Sequence, residues 1–220
     1  HELKVSCSVG IAIYPTDGHD LDELMRRADA AMYDAKASGR DAARVFDPSI
    51  DWAIRERQSM EQHLRLALER QEFSLHYQPR LSASSRQMVG VEALIRWHSP
   101  DLGQVSPDRF IPVAEESGLI HPIGRWVLDE ACRQCAAWQA QGMGDMVVSV
   151  NLSAAQLADP ELVQMVRQLL DKHGCDPTRL ELEITESVML EDFTAVLDQL
   201  RSIKRLGCQV ALDDFGTGYS

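Results

Sequence analysis

Gly90-Val91-Glu92-Ala93-Leu94-Ile95-Arg96-Trp97 reads as a buried strand, because it is dense in apolar and β-branched residues. Yet it carries two charges, Glu92 and Arg96. A buried charge without a partner is expensive, so each needs an opposite charge, a metal or an open cavity. Alternate residues of a strand share a face, so Glu92, Leu94 and Arg96 point the same way. A carboxylate, an apolar contact and a guanidinium on one face can hold a metal, a flat ring and a phosphate. Taken alone, the strand is better explained by a structural ion pair near its end. Three later stretches change that reading.

Working outward, a strand-then-helix rhythm begins at Phe73. Strands are expected at 73–79, 88–97, 146–152, 180–185 and 209–214, and helices at 107–117, 123–141, 160–173 and 192–206. Ser106 before Pro107 and Asp159 before Pro160 mark helix starts, and Gly142, Gly174 and Gly207 mark ends. Strands alternating with helices of this length argue for a parallel sheet covered by helices. The strands are nearly solid apolar until their C-terminal ends, where barrel and doubly wound folds place their chemistry.

Those ends carry Glu92, then Asn151 in Val-Ser-Val-Asn-Leu-Ser, then Glu183 and Glu186 in Glu-Leu-Glu-Ile-Thr-Glu-Ser, then Asp213 and Asp214 in Val-Ala-Leu-Asp-Asp-Phe-Gly. In a parallel barrel they converge at one mouth. So many carboxylates repel one another unless a cation is present, and hard oxygen donors imply Mg²⁺ or Mn²⁺ rather than zinc. Asp213 and Asp214 both reach a metal only if the backbone turns there, which Gly216 and Gly218 permit. Each piece has a bland account: Asn151 as a cap, Glu186 as a surface charge, the Asp pair as a turn. Four bland accounts at successive strand ends make the poorer explanation.

Upstream, Leu3, Val5, Cys7, Val9, Ile11 and Ile13 alternate as a strand, with Gly10 at a bulge or close approach. Asp20 and Glu23 form a capping pair before a helix whose stripe is Leu21, Leu24, Met25, Ala28, Ala31, Met32 and Ala35. A short strand over 43–46 follows. Residues 51–71 read as a charged connecting helix with Met60, Leu64, Ala67 and Leu68 on its buried face.

The ordered series Tyr77-Gln78-Pro79, Glu92-Ala93-Leu94, Phe110-Ile111-Pro112, Asn151-Leu152-Ser153, Glu183-Ile184-Thr185-Glu186 and Asp213-Asp214-Phe215-Gly216-Thr217-Gly218 resembles the EAL domain of cyclic di-GMP phosphodiesterases. Val9-Gly10-Ile11-Ala12, Ala28-Asp29-Ala31-Met32-Tyr33 and Ala35-Lys36-Ser38-Gly39-Arg40 resemble the C-terminal end of a GGDEF diguanylate cyclase domain, with Asp41 where Asn is usual. The resemblance implies an α/β fold: the first five strands of a TIM-like barrel, the first of them antiparallel, preceded by the tail of an α+β GGDEF domain. The expected division is a GGDEF remnant over 1–50, a linker helix over 51–59 and a truncated EAL domain over 60–220.

The implied reaction is metal-dependent hydrolysis of cyclic di-GMP to pGpG. Glu92, Asn151, Glu183 and Asp213 ligate the first metal, and Asp214 serves mainly the second. Two metals clamp and activate a water and stabilise the departing 3′ oxygen. Glu92, Asp213 and Asp214 thus carry the catalysis. Arg96 holds a phosphate, Gln78 and Leu94 line the nucleotide site, and Glu186 steadies the loop after the fifth strand. The alternative is a degenerate EAL domain that binds cyclic di-GMP or docks a partner without turnover. A homodimer through the barrel is also implied.

The expected departure is truncation. A TIM barrel has eight strands and about 250 residues, so a Lys and a general-base carboxylate should lie beyond Ser220, and this segment alone should be poorly stable and inactive. Without the cyclase signature loop no cyclase activity is assigned, and Lys36 and Arg40, which the resemblance implies are phosphate-contacting in an intact cyclase half, read equally as solvated helix-end cations. At 45% hydrophobic and 25% charged the composition is that of a soluble globular protein, and a net charge of -12 argues against a nucleic-acid polymer as partner. No apolar run approaches the roughly 18 residues of a membrane span. Any anchor would lie upstream. Five cysteines without framework spacing suit a reducing cytoplasm. Cys132 and Cys135 form C-x-x-C with no second pair and read as helix packing. His76 reads as a core or barrel-wall residue, and Trp126 and Trp138 as helix–barrel contacts.

Overall fold

The computed structural model describes residues 6–37, 41–185 and 193–213. The chain divides into two compact units, His1–Gln62 and His63–Ser220. In the first, strands β1 (Val9–Ile11) and β2 (Ala43–Val45) pair in parallel, Val9 opposite Ala43. Helix α1 (Leu21–Ala37) crosses β1 so closely that a Cβ on Gly10 would lie 1.9 Å from the Ala28 carbonyl oxygen. Only glycine permits that approach.

β1 is shorter than the alternation suggests. The Ile13 backbone N–H donates to the Asp17 carboxylate at 2.7 Å, so the turn, not a neighbouring strand, takes that donor. The capping pair is offset by one residue. Asp20 accepts from the Glu23 N–H, but Glu23 accepts from the N–H of His19. The expected stripe of α1 is only half right: Ala31 is buried in a small core with Phe46 and Ile50, whereas Leu21 and Met25 are 73% and 56% exposed. Helix α2 (Pro48–Ala67) starts earlier than expected, because Asp47 caps the Ser49 N–H and Pro48 suits a first helical position.

The second unit is built on a sheet ordered β3-β4-β6-β7-β8: β3 (Phe73–Leu81), β4 (Met88–Ser99), β6 (Val147–Leu152), β7 (Leu180–Thr185) and β8 (Gln209–Asp213). β3 runs antiparallel to β4, and the other neighbours in this path are parallel. It is the expected incomplete barrel with a reversed first strand. Helices α3 (Pro107–Ser117), α4 (Ile120–Ala140), α6 (Leu162–His173) and α7 (Phe193–Arg205) make the crossovers.

Three short elements escaped the sequence pattern: β5 (Gly103–Val105), paired antiparallel with β4, helix α5 (Ala154–Leu157) and a 3₁₀ turn over Pro177–Arg179. α6 starts at Leu162 because Asp159 spends its carboxylate on the Glu161 N–H, turning the chain before the helix begins. The marked glycines end their helices as expected, Gly142, Gly174 and Gly207 all having positive φ.

The outward face of the sheet is apolar. Val91, Ala93, Val148, Val150, Leu180, Leu182 and Ile184 are all buried. Phe73, Trp97, Phe110 and Trp126 extend this core, with ring centroids 5.5–6.0 Å apart in the contacting pairs. Trp138 packs edge-on against Tyr77 at 4.9 Å. The Trp97 indole donates to Glu72 at 2.9 Å, which satisfies a polar group the core would otherwise strand. No helix among the described residues is long and apolar enough to cross a membrane.

Candidate active site

The register of the sheet decides which side chains share the other face. Glu92 stands opposite Gln78 on β3 and Ser149 on β6. Ser149 stands opposite Glu181, Asn151 opposite Glu183, Glu183 opposite Ala211, and Thr185 opposite Asp213. Directly paired residues point to the same side, as do residues two apart. Gln78, Glu92, Leu94, Arg96, Asn151, Glu183 and Asp213 therefore all project from the inner face. Asp214 and Glu186 lie outside the described residues.

Two contacts organise that face. The Asn151 amide Nδ2 donates to Glu92 Oε1 at 2.7 Å, linking the middle of β4 to the end of β6. Arg80 Nη1 donates to Glu183 Oε1 at 2.7 Å and also reaches Glu181 Oε1 and Ser149 Oγ. The Ser149 hydroxyl completes this group by donating to Glu181 Oε1 at 2.7 Å.

The electrostatics follow from the packing. Burial, with the Glu92 charge added, pushes the Glu183 carboxyl above the ordinary range, although Arg80 pulls the other way. Burial works upward on Glu181 as well, but the Ser149 and Arg80 hydrogen bonds outweigh it and hold that carboxyl low. The hydrogen bond to Glu181 raises the Arg80 guanidinium against the effect of burial.

Beside this face lies a cavity of about 530 Å³ between β4, β6 and helices α3 to α5. Leu94, Ile95, Phe110, Ile111 and Val127 give it apolar walls, and Arg96 and Asn151 stand at its border. Arg96 Nη1 donates to the Ile95 carbonyl at 2.8 Å, which leaves further donors of its fork for a ligand. Glu115 also lines the cavity, and partial burial raises its carboxyl. A Cβ on Gly124 would meet the Gln156 side-chain nitrogen at 1.8 Å, so that glycine lets Gln156 close the floor.

The donor set is chemically suited to a hard divalent cation: the carboxylates of Glu92, Glu183 and Asp213, and the amide of Asn151. Their placement on one face of adjacent strands fits such an ion. Among the described residues, however, no three His, Cys, Asp or Glu side chains are grouped tightly enough to ligate one. Glu92 and Glu183 instead engage Asn151 and Arg80.

Residue by residue, Leu94 and Arg96 reach the cavity, Gln78 is exposed opposite Glu92, and Asp213 is exposed at the end of β8. Sequence reasoning missed Arg80, Ser149 and Glu181. Each lies two positions from a residue it did select, Gln78, Asn151 and Glu183, so strand parity could have found them. His76 is exposed on the inner face of β3, the barrel-wall rather than the core alternative. Cys132 and Cys135 are buried, as are Cys175 and Cys208.

The EAL domain profile matches residues 61–220. The chain belongs to the EAL-domain family. A GGDEF diguanylate cyclase profile matches residues 1–42. Relatives include the bifunctional diguanylate cyclase/cyclic di-GMP phosphodiesterase MucR of Pseudomonas aeruginosa, 47% identical over 220 residues, all of this chain and 32% of MucR. The cyclic di-GMP phosphodiesterase PdeR of Escherichia coli is 42% identical over 219 residues, 100% of this chain and 33% of PdeR. The chain thus spans about a third of the length of these two relatives. Among solved structures, the PaMucR phosphodiesterase in its c-di-GMP complex superposes with a TM-score of 0.71 at 48% identity. That match covers 74% of this chain and 66% of the other.

Proposed function

We propose that this chain carries the metal-binding and nucleotide-binding wall of a cyclic di-GMP phosphodiesterase in a tandem GGDEF–EAL protein. In this division residues 1–50 belong to the GGDEF domain, 51–59 to a linker helix and 60–220 to the EAL domain. The observation that carries the reading is the sheet register. It sets Glu92, Asn151, Glu183 and Asp213 on one face of four neighbouring parallel strands, with Leu94 and Arg96 turned into the adjoining cavity.

Glu92, Asn151, Glu183 and Asp213 would hold the first divalent ion, Mg²⁺ or Mn²⁺, and Asp214 mainly the second. Such ions supply Lewis-acid charge at the phosphate and lower the pKa of the attacking water. The rest falls to the chain's own side chains. Arg96 holds a non-bridging phosphate oxygen, and its bond to the Ile95 carbonyl fixes the aim of the guanidinium. Leu94 and the apolar cavity wall take a flat base and exclude water around it. Gln78 borders the nucleotide from β3, opposite Glu92. The Asn151 hydrogen bond keeps the Glu92 carboxylate from turning away. Glu186 is assigned to steadying the loop after the fifth strand.

A second reading has one observation in its favour. Glu92 and Glu183 already have protein partners, as a site that binds the dinucleotide without turnover could afford. Chromatography of cyclic di-GMP after incubation with Mg²⁺ or Mn²⁺ and the chain extended through the rest of its barrel separates the two. Formation of pGpG that disappears in Glu92→Ala supports the phosphodiesterase. Bound but intact ligand in the wild type supports the receptor. The 220-residue chain alone is expected to form no pGpG. Five free cysteines support a cytoplasmic setting. The homodimer implied by the resemblance is tested by the mass of the extended protein in solution.

A further inference from the structure

We infer that Arg80 is a positioning residue for Glu183, fixing one oxygen of that carboxylate from within the barrel so that it meets a divalent ion in one orientation. This inference rests on the metal-dependent reading of the same face. The geometry is specific. Arg80 lies at the far end of β3, opposite Gly90, where no side chain stands in its way. Because β3 is reversed relative to its neighbours, the end of that strand lies beside the beginning of β4, two residues beyond the Gln78 that stands opposite Glu92. From there a single nitrogen, Nη1, reaches Ser149, Glu181 and Glu183 on two other strands.

The charges explain why something must stand there. Glu181 and Glu183 occupy one face of β7, two residues apart, with side chains only 13% and 8% exposed. Two carboxylates so placed repel each other in a medium that screens poorly. Without Arg80, Glu183 would be free to turn from its neighbour. Arg80 is 41% exposed and anchored on both carboxylates, so it offsets the repulsion and selects one rotamer. Carboxylates that ligate metals are commonly held by such an outer partner, and its loss costs about 10–100-fold in metal affinity or activity.

Mn²⁺ binding, followed by loss of the free-ion electron paramagnetic resonance signal, tests this in the extended protein without requiring turnover. Arg80→Gln is expected to weaken Mn²⁺ binding by about 10–100-fold and to lower kcat for cyclic di-GMP with KM little changed. Arg80→Lys should recover most of the loss, because all three contacts run through one nitrogen and an ammonium has three donors. The double variant Arg80→Gln/Glu181→Gln discriminates mechanism and also removes the charge that could unfold Arg80→Gln.

If Arg80 merely neutralises Glu181, the double variant binds Mn²⁺ like the wild type, which overturns the inference. If Arg80 positions Glu183, binding stays weak although the repulsion is gone. Unchanged Mn²⁺ affinity in a folded Arg80→Gln protein also overturns it. A wild type that binds no Mn²⁺ defeats the metal reading itself, and that failure is visible before any variant is made.

Discussion

The two faces of the main sheet are made from alternate residues of the same strands, yet they share almost no chemistry. Outward, Val91, Ala93, Val148, Val150, Leu182 and Ile184 are sealed from water. Inward, Glu92, Asn151, Glu181, Glu183 and Arg80 form hydrogen bonds and ion pairs. The apolar face gains free energy by leaving water, in proportion to area and without regard to direction. The polar face gains little net stability from its bonds, because each replaces a bond to water. What it gains is geometry. One face should therefore set how stable the domain is, and the other what it does.

The sharpest way to break that division is to cut into the outer face. Leu182 is wholly buried, and Leu182→Ala should cost about 2–5 kcal/mol, read from urea unfolding of the extended protein. The companion change on the inner face is Glu92→Gln. It should end turnover while moving stability by no more than about 1 kcal/mol, as expected for losing part of one hydrogen bond. Equal stability losses from the two would erase the distinction.

A third test uses pH. A hydrogen bond with Cys132, with burial added and against the opposing pull of Cys135, pushes the Cys175 thiol up to about 12, and burial alone pushes Cys208 up to about 11. Their folded values exceed the unfolded one of about 8.5. The contribution is thus complete below that pH and shrinks as pH rises towards 11–12, since the unfolded chain releases its protons first. Stability should decline over that alkaline interval. Cys208→Ala should flatten the decline, and a slope unchanged in that variant would refute the assignment. The smallest effect belongs outside both faces. Arg133, 52% exposed and paired with Glu130 on the same helix, should change stability by less than about 1 kcal/mol on substitution by Ala, by the same urea assay.

Much of this contrast was legible in the sequence, because strand parity is a local property. Alternation alone put Glu92, Leu94 and Arg96 on one side, and the strand–helix rhythm located the five main strands to within a few residues. Parity does not say which residue of one strand faces which residue of another. The contact of Arg80 with Glu181 and Glu183 spans about a hundred positions and depends on register, so it could not be read from spacing. The helix period has a similar limit. It groups Leu21 and Met25 with Ala31, but which part of a wide apolar stripe is covered depends on what packs there. α5 was missed although its signal is present. Ser153 and Gln156 form a reciprocal capping box around a helix of four residues, too short for any periodicity to register.

The reversed first strand has a consequence for how the domain is assembled in time. β3 and β4 are joined by a connection running only from Leu81 to Met88, and nine residue pairs close in sequence from there. β4 and β6 meet only after the chain between Ala93 and Val147 has folded back. Closing the longer loop costs more entropy before any contact repays it, so the hairpin should form early and the parallel ladder late. Conservative substitutions along Leu75 and Ile95 should slow folding, whereas those at Val150 and Leu182 should mainly speed unfolding. The opposite pattern of folding and unfolding rates would reverse that order. The strand that breaks the barrel's parallel rule would then be the one around which the parallel strands collect.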